Sequence, residues 1–159
     1  MKVSINLAIK SYLQSSDKSF KDARSKLALF LFKSLGKIEV RMKENIRTRL
    51  NVRSGSLLNS PQREVKKTVS GVRGTMGPEG VPYAGVQEFG HTFPARYVKP
   101  RNKLALKWSA NGGTFFSKGH TIPSFEVKGV HYMEDAIKDT VDIIEQDYAK
   151  LIEDTLGAE

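Results

Sequence analysis

Phe20, Ala23, Leu27, Leu31, Leu35, Ile38, Met42, Ile46 and Leu50 recur every three to four residues. That period puts them all on one stripe of an α-helix. Ser15-Ser16-Asp17 in front of the stripe offers N-cap chemistry. The predicted helix runs about 33 residues and, at 1.5 Å each, reaches roughly 50 Å unless Gly36 bends or breaks it. In a chain of 159 residues, so long a helix must protrude or lie across a sheet. Its other face carries Lys18, Lys21, Arg24, Lys33, Lys37, Arg41, Lys43 and Arg47, which reads as a solvated basic face.

The remaining elements follow from shorter patterns. Val3, Ile5, Leu7 and Ile9 alternate with polar residues, the period of a half-buried strand. Ser54 is placed to cap a short turn that Pro61 ends. The segment Glu64–Thr75 reads as one strand, and Gly77-Pro78-Glu79-Gly80 as a turn. Tyr83–Phe89 reads as a strand or a short helix ended by Gly90, and His91–Arg101 as loop. Leu104, Leu106 and Trp108 alternate, and Asn111-Gly112-Gly113 then leads into Thr114-Phe115-Phe116-Ser117, a strong hairpin signal. Trp108, Phe115 and Phe116 are expected to be core residues of that hairpin. Lys118–Lys128 reads as loop. Tyr132, Met133, Ala136, Ile137, Thr140, Val141, Ile144, Tyr148, Leu151, Ile152 and Thr155 form a last helical stripe, opposite an acidic face from Glu134 to Asp154. The expected fold is α+β: one domain over residues 1–159, with an antiparallel sheet packed by the long N-terminal amphipathic helix and a C-terminal helix.

Charge is distributed unevenly. Up to Ala110 there are 22 basic and 7 acidic residues, a net of +15; from Asn111 onward there are 4 basic and 10 acidic, a net of −6. Either opposed faces meet different neighbours, another copy of the chain included, or the two segments neutralise each other within one fold. With no cysteine, disulfide frameworks, cysteine zinc sites and thiol catalysis are excluded, and a reducing cytoplasm fits. No apolar run approaches the roughly 18 residues that span a bilayer, and the N-terminus, interrupted by Asn6 and Lys10, does not read as a signal peptide.

Enzyme chemistry finds little support. His91, His120 and His131 are scattered, without metal-ligand spacing. Gly71-Val72-Arg73-Gly74 and Gly77-Pro78-Glu79-Gly80 lack the lysine and hydroxyl of a phosphate loop. No serine sits in a nucleophile elbow. Neither catalysis, a metal nor a cofactor is expected. Basic clusters at Arg47–Arg53, Arg63–Lys67 and Arg96–Lys107 attract phosphate without sequence specificity, which makes non-specific DNA binding the alternative reading.

Four segments carry a resemblance through their order: Arg53-Ser54-Gly55-Ser56-Leu57-Leu58-Asn59-Ser60; Pro82-Tyr83-Ala84-Gly85-Val86-Gln87-Glu88-Phe89-Gly90; Lys103–Trp108 followed by Phe115-Phe116-Ser117-Lys118; and Val130-His131-Tyr132-Met133-Glu134-Asp135-Ala136. Together they resemble the neck and tail-completion proteins of long-tailed bacteriophages, over roughly residues 45 to 140. Two departures stand out. Val130-His131-Tyr132-Met133 replaces an Arg-Pro-Phe-Leu pattern, so the start of the last helix is expected to differ, and His91 follows Gly90 where threonine is usual.

The resemblance implies a structural virion protein at the head–tail junction, joining head to tail or terminating the tail tube as part of a ring. Tail symmetry suggests a hexamer. Its implied partners are its own copies, head-closure or connector proteins, tail-tube proteins and genomic double-stranded DNA in the channel. It would be made in the bacterial host cytoplasm and reside in the virion. Gly55 and Gly90 are expected at unusual backbone dihedrals. Tyr83, Val86 and Phe89 are expected in the core, with Glu88 partnering a basic residue, and Leu57 is a structural residue of the family motif. Arg53, Arg96, Lys99, Arg101 and Lys103 are the candidate interaction residues, the last four on a His91–Lys103 loop facing a neighbour or the channel.

Overall fold

The computed structural model describes residues 2–8, 17–68, 71–101 and 104–156. Ile9, the Ser15-Ser16 cap, Val69 and Lys103 lie outside them, as do the side chains of Lys18, Phe20 and Thr155. The long stripe makes one unbroken helix, α1 (Asp17–Arg49). Gly36 does not interrupt it; instead Arg63 crosses α1 there, its guanidinium 4.1 Å from the Phe32 ring centroid and 3.6 Å from Glu39.

The helix lies on a sheet formed by β1 (Val3–Ala8), β2 (Pro61–Thr68) and β3 (Gly71–Pro78). The sheet is antiparallel in the order β1-β3-β2, with Leu7 opposite Val72 and Val65 opposite Gly74. The expected single strand Glu64–Thr75 is thus two strands, and Gly77-Pro78 ends β3 before the turn at Glu79-Gly80. Alternation along β3 buries Val72, Gly74 and Met76 beneath α1 and exposes Arg73. At Gly74 a Cβ would stand 3.0 Å from Leu35 Cδ1, so glycine is what lets helix and sheet approach this closely.

The C-terminal stripe forms α3 (Tyr132–Leu156) against the other flank of α1. Leu35, Ile38, Met42 and Ile46 pack with Met76, Tyr132, Met133 and Ala136; a second cluster joins Leu27, Phe30, Leu31 and Val72. Burial thins toward the end of α3, although α1 still reaches Ile144 and Leu151 through Leu27, Phe30 and Leu31. Val141 and Ile152, expected in the core, lie beside that contact and are exposed, and Tyr148 keeps 36% of its surface although its ring meets Phe30 at 5.5 Å. Nor is the basic face of α1 wholly solvated. Arg41 Nε donates to Asp139 at 2.8 Å, Lys37 to Asp147 at 2.5 Å, and Arg49 to Asp135. Part of the opposed charge is therefore neutralised within the chain. Asp139 beside it, then Glu44, raises the Arg41 guanidinium further, and Arg49 holds the Asp135 carboxyl below its ordinary range. These pairs are half-exposed and screened by solvent, so they fix helix register more than they add stability.

Between sheet and α3, the chain makes α2 (Ala84–Phe89) and then six strands: β4 (Gly90–Phe93), β5 (Arg96–Val98), β6 (Leu106–Ala110), β7 (Gly113–Ser117), β8 (His120–Ile122) and β9 (Phe125–Lys128). They pair as β4-β9, β5-β8 and β6-β7, nested one inside the next. The expected loops His91–Arg101 and Lys118–Lys128 are therefore the two legs of one long hairpin, an arm. Phe93 pairs with Phe125 and Arg96 with Ile122, so register is kept across Pro94 and Pro123, which lack ladder donors. Farther out, the connection from β5 to β6 is longer than the one from β7 to β8. Leu104 belongs to that longer connection rather than to a strand and is 96% exposed. At the tip Asn111 (φ 49°) and Gly112 (φ 77°) make the tight two-residue turn that Asn-Gly signals.

Candidate interaction surface

The arm is hinged to the body where the chain crosses itself. Gly90 sits at φ 77°, ψ 170°, a region essentially confined to glycine. A Cβ there would lie 2.6 Å from the Val127 carbonyl oxygen, and one on Gly129 would lie 2.6 Å from that of Glu88. Beside the crossing, the Val130 and His131 N–H groups donate to the Gln87 and Glu88 carbonyls at 2.8 and 3.1 Å.

Glu88 takes a role its sequence context did not reveal. It is 1% exposed and meets no basic residue. Its carboxylate accepts the Met133 N–H at 2.9 Å and the Glu134 N–H at 2.8 Å, capping α3 from another element. An anion here satisfies two helix-terminal donors and suits the helix dipole. Above it the Tyr132 hydroxyl donates weakly to the Ala84 carbonyl at 3.4 Å. Burial, and then the Glu88 charge, push this phenol up to about 12. His131 precedes α3 at φ 50°, which a proline ring could not adopt, so the departure from Arg-Pro at this point has a backbone consequence.

Gly55 (φ 71°) and buried Leu57 occupy a turn closed by Asn59 N–H to the Gly55 carbonyl (2.9 Å) and Ser60 Oγ to the Leu57 carbonyl (2.8 Å). Ser54 Oγ accepts the Ser56 N–H at 3.4 Å, a weak version of the expected cap. This turn, the end of α1 and α2 border a cleft of about 390 Å³ in which Arg53 is the one charged side chain among the described residues. Nothing there converges for acid–base or nucleophilic chemistry.

Tyr83 and Phe89 do not fill the core. Phe89 is 61% exposed and Tyr83 borders the cleft, because the short α2 turns Ala84 and Glu88 inward instead. Val86 is half-buried. Trp108, Phe115 and Phe116 likewise lie on the arm's surface, with Phe116 66% exposed, since no second layer covers the hairpin. Strand alternation puts them on both faces: Trp108 opposite Phe115, centroids 6.0 Å apart, and Phe116 opposite Lys107. His120 adds to the Trp108 side at 5.3 Å, while Phe93 stacks on Phe125 at 4.9 Å near the hinge. Tyr97 lies over Gly119, with Lys99 5.8 Å above its ring.

Of the sequence-predicted interaction residues, Arg53 stays at the cleft, whereas Arg96, Lys99 and Arg101 stand exposed on the arm. Lys107, Lys118 and Lys128 join them there. Among the described residues, none of these arm cations forms an ion pair. The available signal was composition: between Gly90 and Lys128 there are seven basic residues and one acidic. Among the described residues no group of three or more histidines and carboxylates is placed to hold a metal ion, and no helix is long and apolar enough to cross a membrane. Compared with protein-family models, with curated proteins and with solved structures, the chain matches none.

Proposed function

We propose that this chain is a structural protein of the head–tail junction of a long-tailed bacteriophage, joining head to tail or terminating the tail tube as one subunit of a ring. The observation that carries the reading is the arm, a ribbon of up to roughly 50 Å along its returning leg at 3.3 Å per residue. A two-stranded ribbon with aromatic residues on both faces is marginal by itself in water. Such an element is better suited to assembly than to a chain working alone. The order of the four phage-like segments adds to this, since Gln87 and Glu88 of the second are hydrogen-bonded to Val130, His131 and the start of α3 in the fourth. Cations on the arm and at Arg53 would face a neighbouring subunit, the connector, the tail tube or the DNA in the channel.

Electron microscopy of a lysate from a phage or prophage lacking this gene tests the role. Filled heads beside separate tails support head–tail joining, and tails of irregular length support termination. Normal infectious particles overturn both. The unpaired arm cations also favour a second reading, non-specific DNA binding. It requires the isolated protein to bind duplex DNA with an affinity that falls steeply as salt rises.

A further inference from the structure

Two surfaces of this molecule are left incomplete, and they are complementary. The first is the arm, with exposed Trp108, Phe115 and Phe116 at its outer ladder. The second is the distal half of α3. There Val141, Tyr148 and Ile152, seven and four positions apart, align along one flank of the helix. Tyr148 meets Phe30 of α1 on its inner side, ring centroids 5.5 Å apart, and keeps 36% of its surface exposed, as Val141 and Ile152 keep 39%.

Charge matches in the same places. The carboxylates of Asp135, Asp139 and Asp147 pair with α1, and Glu134 pairs with Lys138. The other acidic residues of α3, Asp142, Glu145, Glu153 and Asp154, are exposed and have no ion-pair partner among the described residues. The arm presents the converse: Arg96, Arg101, Lys107, Lys118 and Lys128, all exposed and without an ion-pair partner among the described residues. Of the other exposed apolar positions on the two long helices, Leu29, Phe32 and Val40 lie on α1, and Ile143 lies on the opposite side of α3 from Val141.

We propose that the arm of one copy lies on the distal flank of α3 of the next, the ribbon face that carries Phe116 and Lys107 turned toward Val141, Tyr148 and Ile152 and toward Glu145 and its acidic neighbours. The occupant is a second copy of this chain. One patch meets a different patch, so the contact is heterologous and propagates around a ring. This inference rests on the ring reading proposed above and specifies the surfaces that would close it.

The absence of cysteine makes the contact directly measurable. Phe116→Cys and Tyr148→Cys variants, each carrying one thiol, are mixed and treated with a flexible bis-maleimide linker. A cross-linked product containing one chain of each kind is expected. In sedimentation, Lys107→Glu should weaken self-association by about tenfold or more, and Glu145→Lys in the same chain should restore it. Both residues are exposed and without ion-pair partners, so neither change should disturb folding.

Oligomers that form without the cross-link and are indifferent to both charge reversals would overturn the arm-to-α3 contact while leaving the junction role intact. A chain that stays monomeric at high concentration would overturn it as well. So would a Lys107→Glu variant that loses DNA binding but associates normally, since the arm would then serve DNA. The gene-deletion lysate decides the role independently of all three.

Discussion

In the helix–sheet body, Leu31, Leu35, Ile38 and Met42 lose nearly all contact with water, and Asn45, Glu88 and Thr140, buried with them, are hydrogen-bonded. In the arm, Trp108, Phe115 and Phe116 keep a third or more of their surface exposed, and the cations around them have no carboxylates. Both regions are rich in apolar side chains, but only the body supplies a second layer. The difference shows that apolar content alone does not place a residue in a core. What matters is whether the element has another face to pack against. A body with a closed interior and an arm with no second layer should respond differently to the same kinds of substitution.

The largest contrast should come from truncating one apolar residue in each region. Leu35→Ala should cost about 2–5 kcal/mol by removing methyl groups from a packed interior. Phe116→Ala should change the stability of the isolated chain by less than about 0.5 kcal/mol. Urea unfolding of the monomer measures both. Equal costs would mean that the arm packs on something even in the free chain, and the contrast would fail.

Next in size is Glu88, which belongs to the body but governs how the arm leaves it. Glu88→Ala strands two buried N–H donors and should cost about 2–4 kcal/mol. Glu88→Gln keeps one carbonyl acceptor and should cost about half as much. If the two variants were equally stable, the carboxylate would not be the cap that its 2.8–2.9 Å contacts indicate.

Which parts were legible follows the same division. The nine-position stripe of α1 and the N-terminal part of the α3 stripe were readable because one face is buried, and burial of one face writes a period into the sequence. The Asn-Gly turn was readable because only certain residues tolerate two successive positive φ values. Strands β4, β5, β8 and β9 were not, because a ribbon exposed on both faces has no reason to alternate, and its prolines argued for loop. The split of β2 from β3 was missed for a related reason: the alternation of Val65, Lys67, Val69 and Gly71 with Lys66, Thr68 and Ser70 outweighed the Ser70-Gly71 turn signal. At the candidate site, Arg96, Lys99 and Arg101 were found by charge, although they were assigned to a loop. Glu88 was singled out but given the wrong partner, because its bonds go to backbone amides 45 residues away, which side-chain pairing rules do not register.

Gly90 sharpens the boundary between the two regions. Gly90→Ala forces a side chain into a glycine-only backbone region and against the Val127 carbonyl, costing about 1–3 kcal/mol. The loss should be concentrated at the hinge, so hydrogen exchange should accelerate in β4 and β9 while α1 amides stay protected. Uniform acceleration across α1 would show that arm and body unfold as one unit.

The smallest effect at neutral pH concerns Tyr132, where the body is most fully closed. Tyr132→Phe removes a hydroxyl whose bond to the Ala84 carbonyl is long, 3.4 Å, and should cost less than about 1 kcal/mol. At high pH the ranking changes. Burial, and secondarily the Glu88 charge, raise this phenol to about 12, above the ordinary tyrosine value of about 10. The folded state holds the proton more tightly than the unfolded state, so the stability this provides is present below about pH 10 and lost as pH climbs toward about 12. The phenolate absorbance of the intact protein should therefore lose one step near pH 12 when Tyr132 becomes phenylalanine, and alkaline unfolding should move to higher pH. An unchanged alkaline midpoint would mean that the body opens around α3 before Tyr132 ionises.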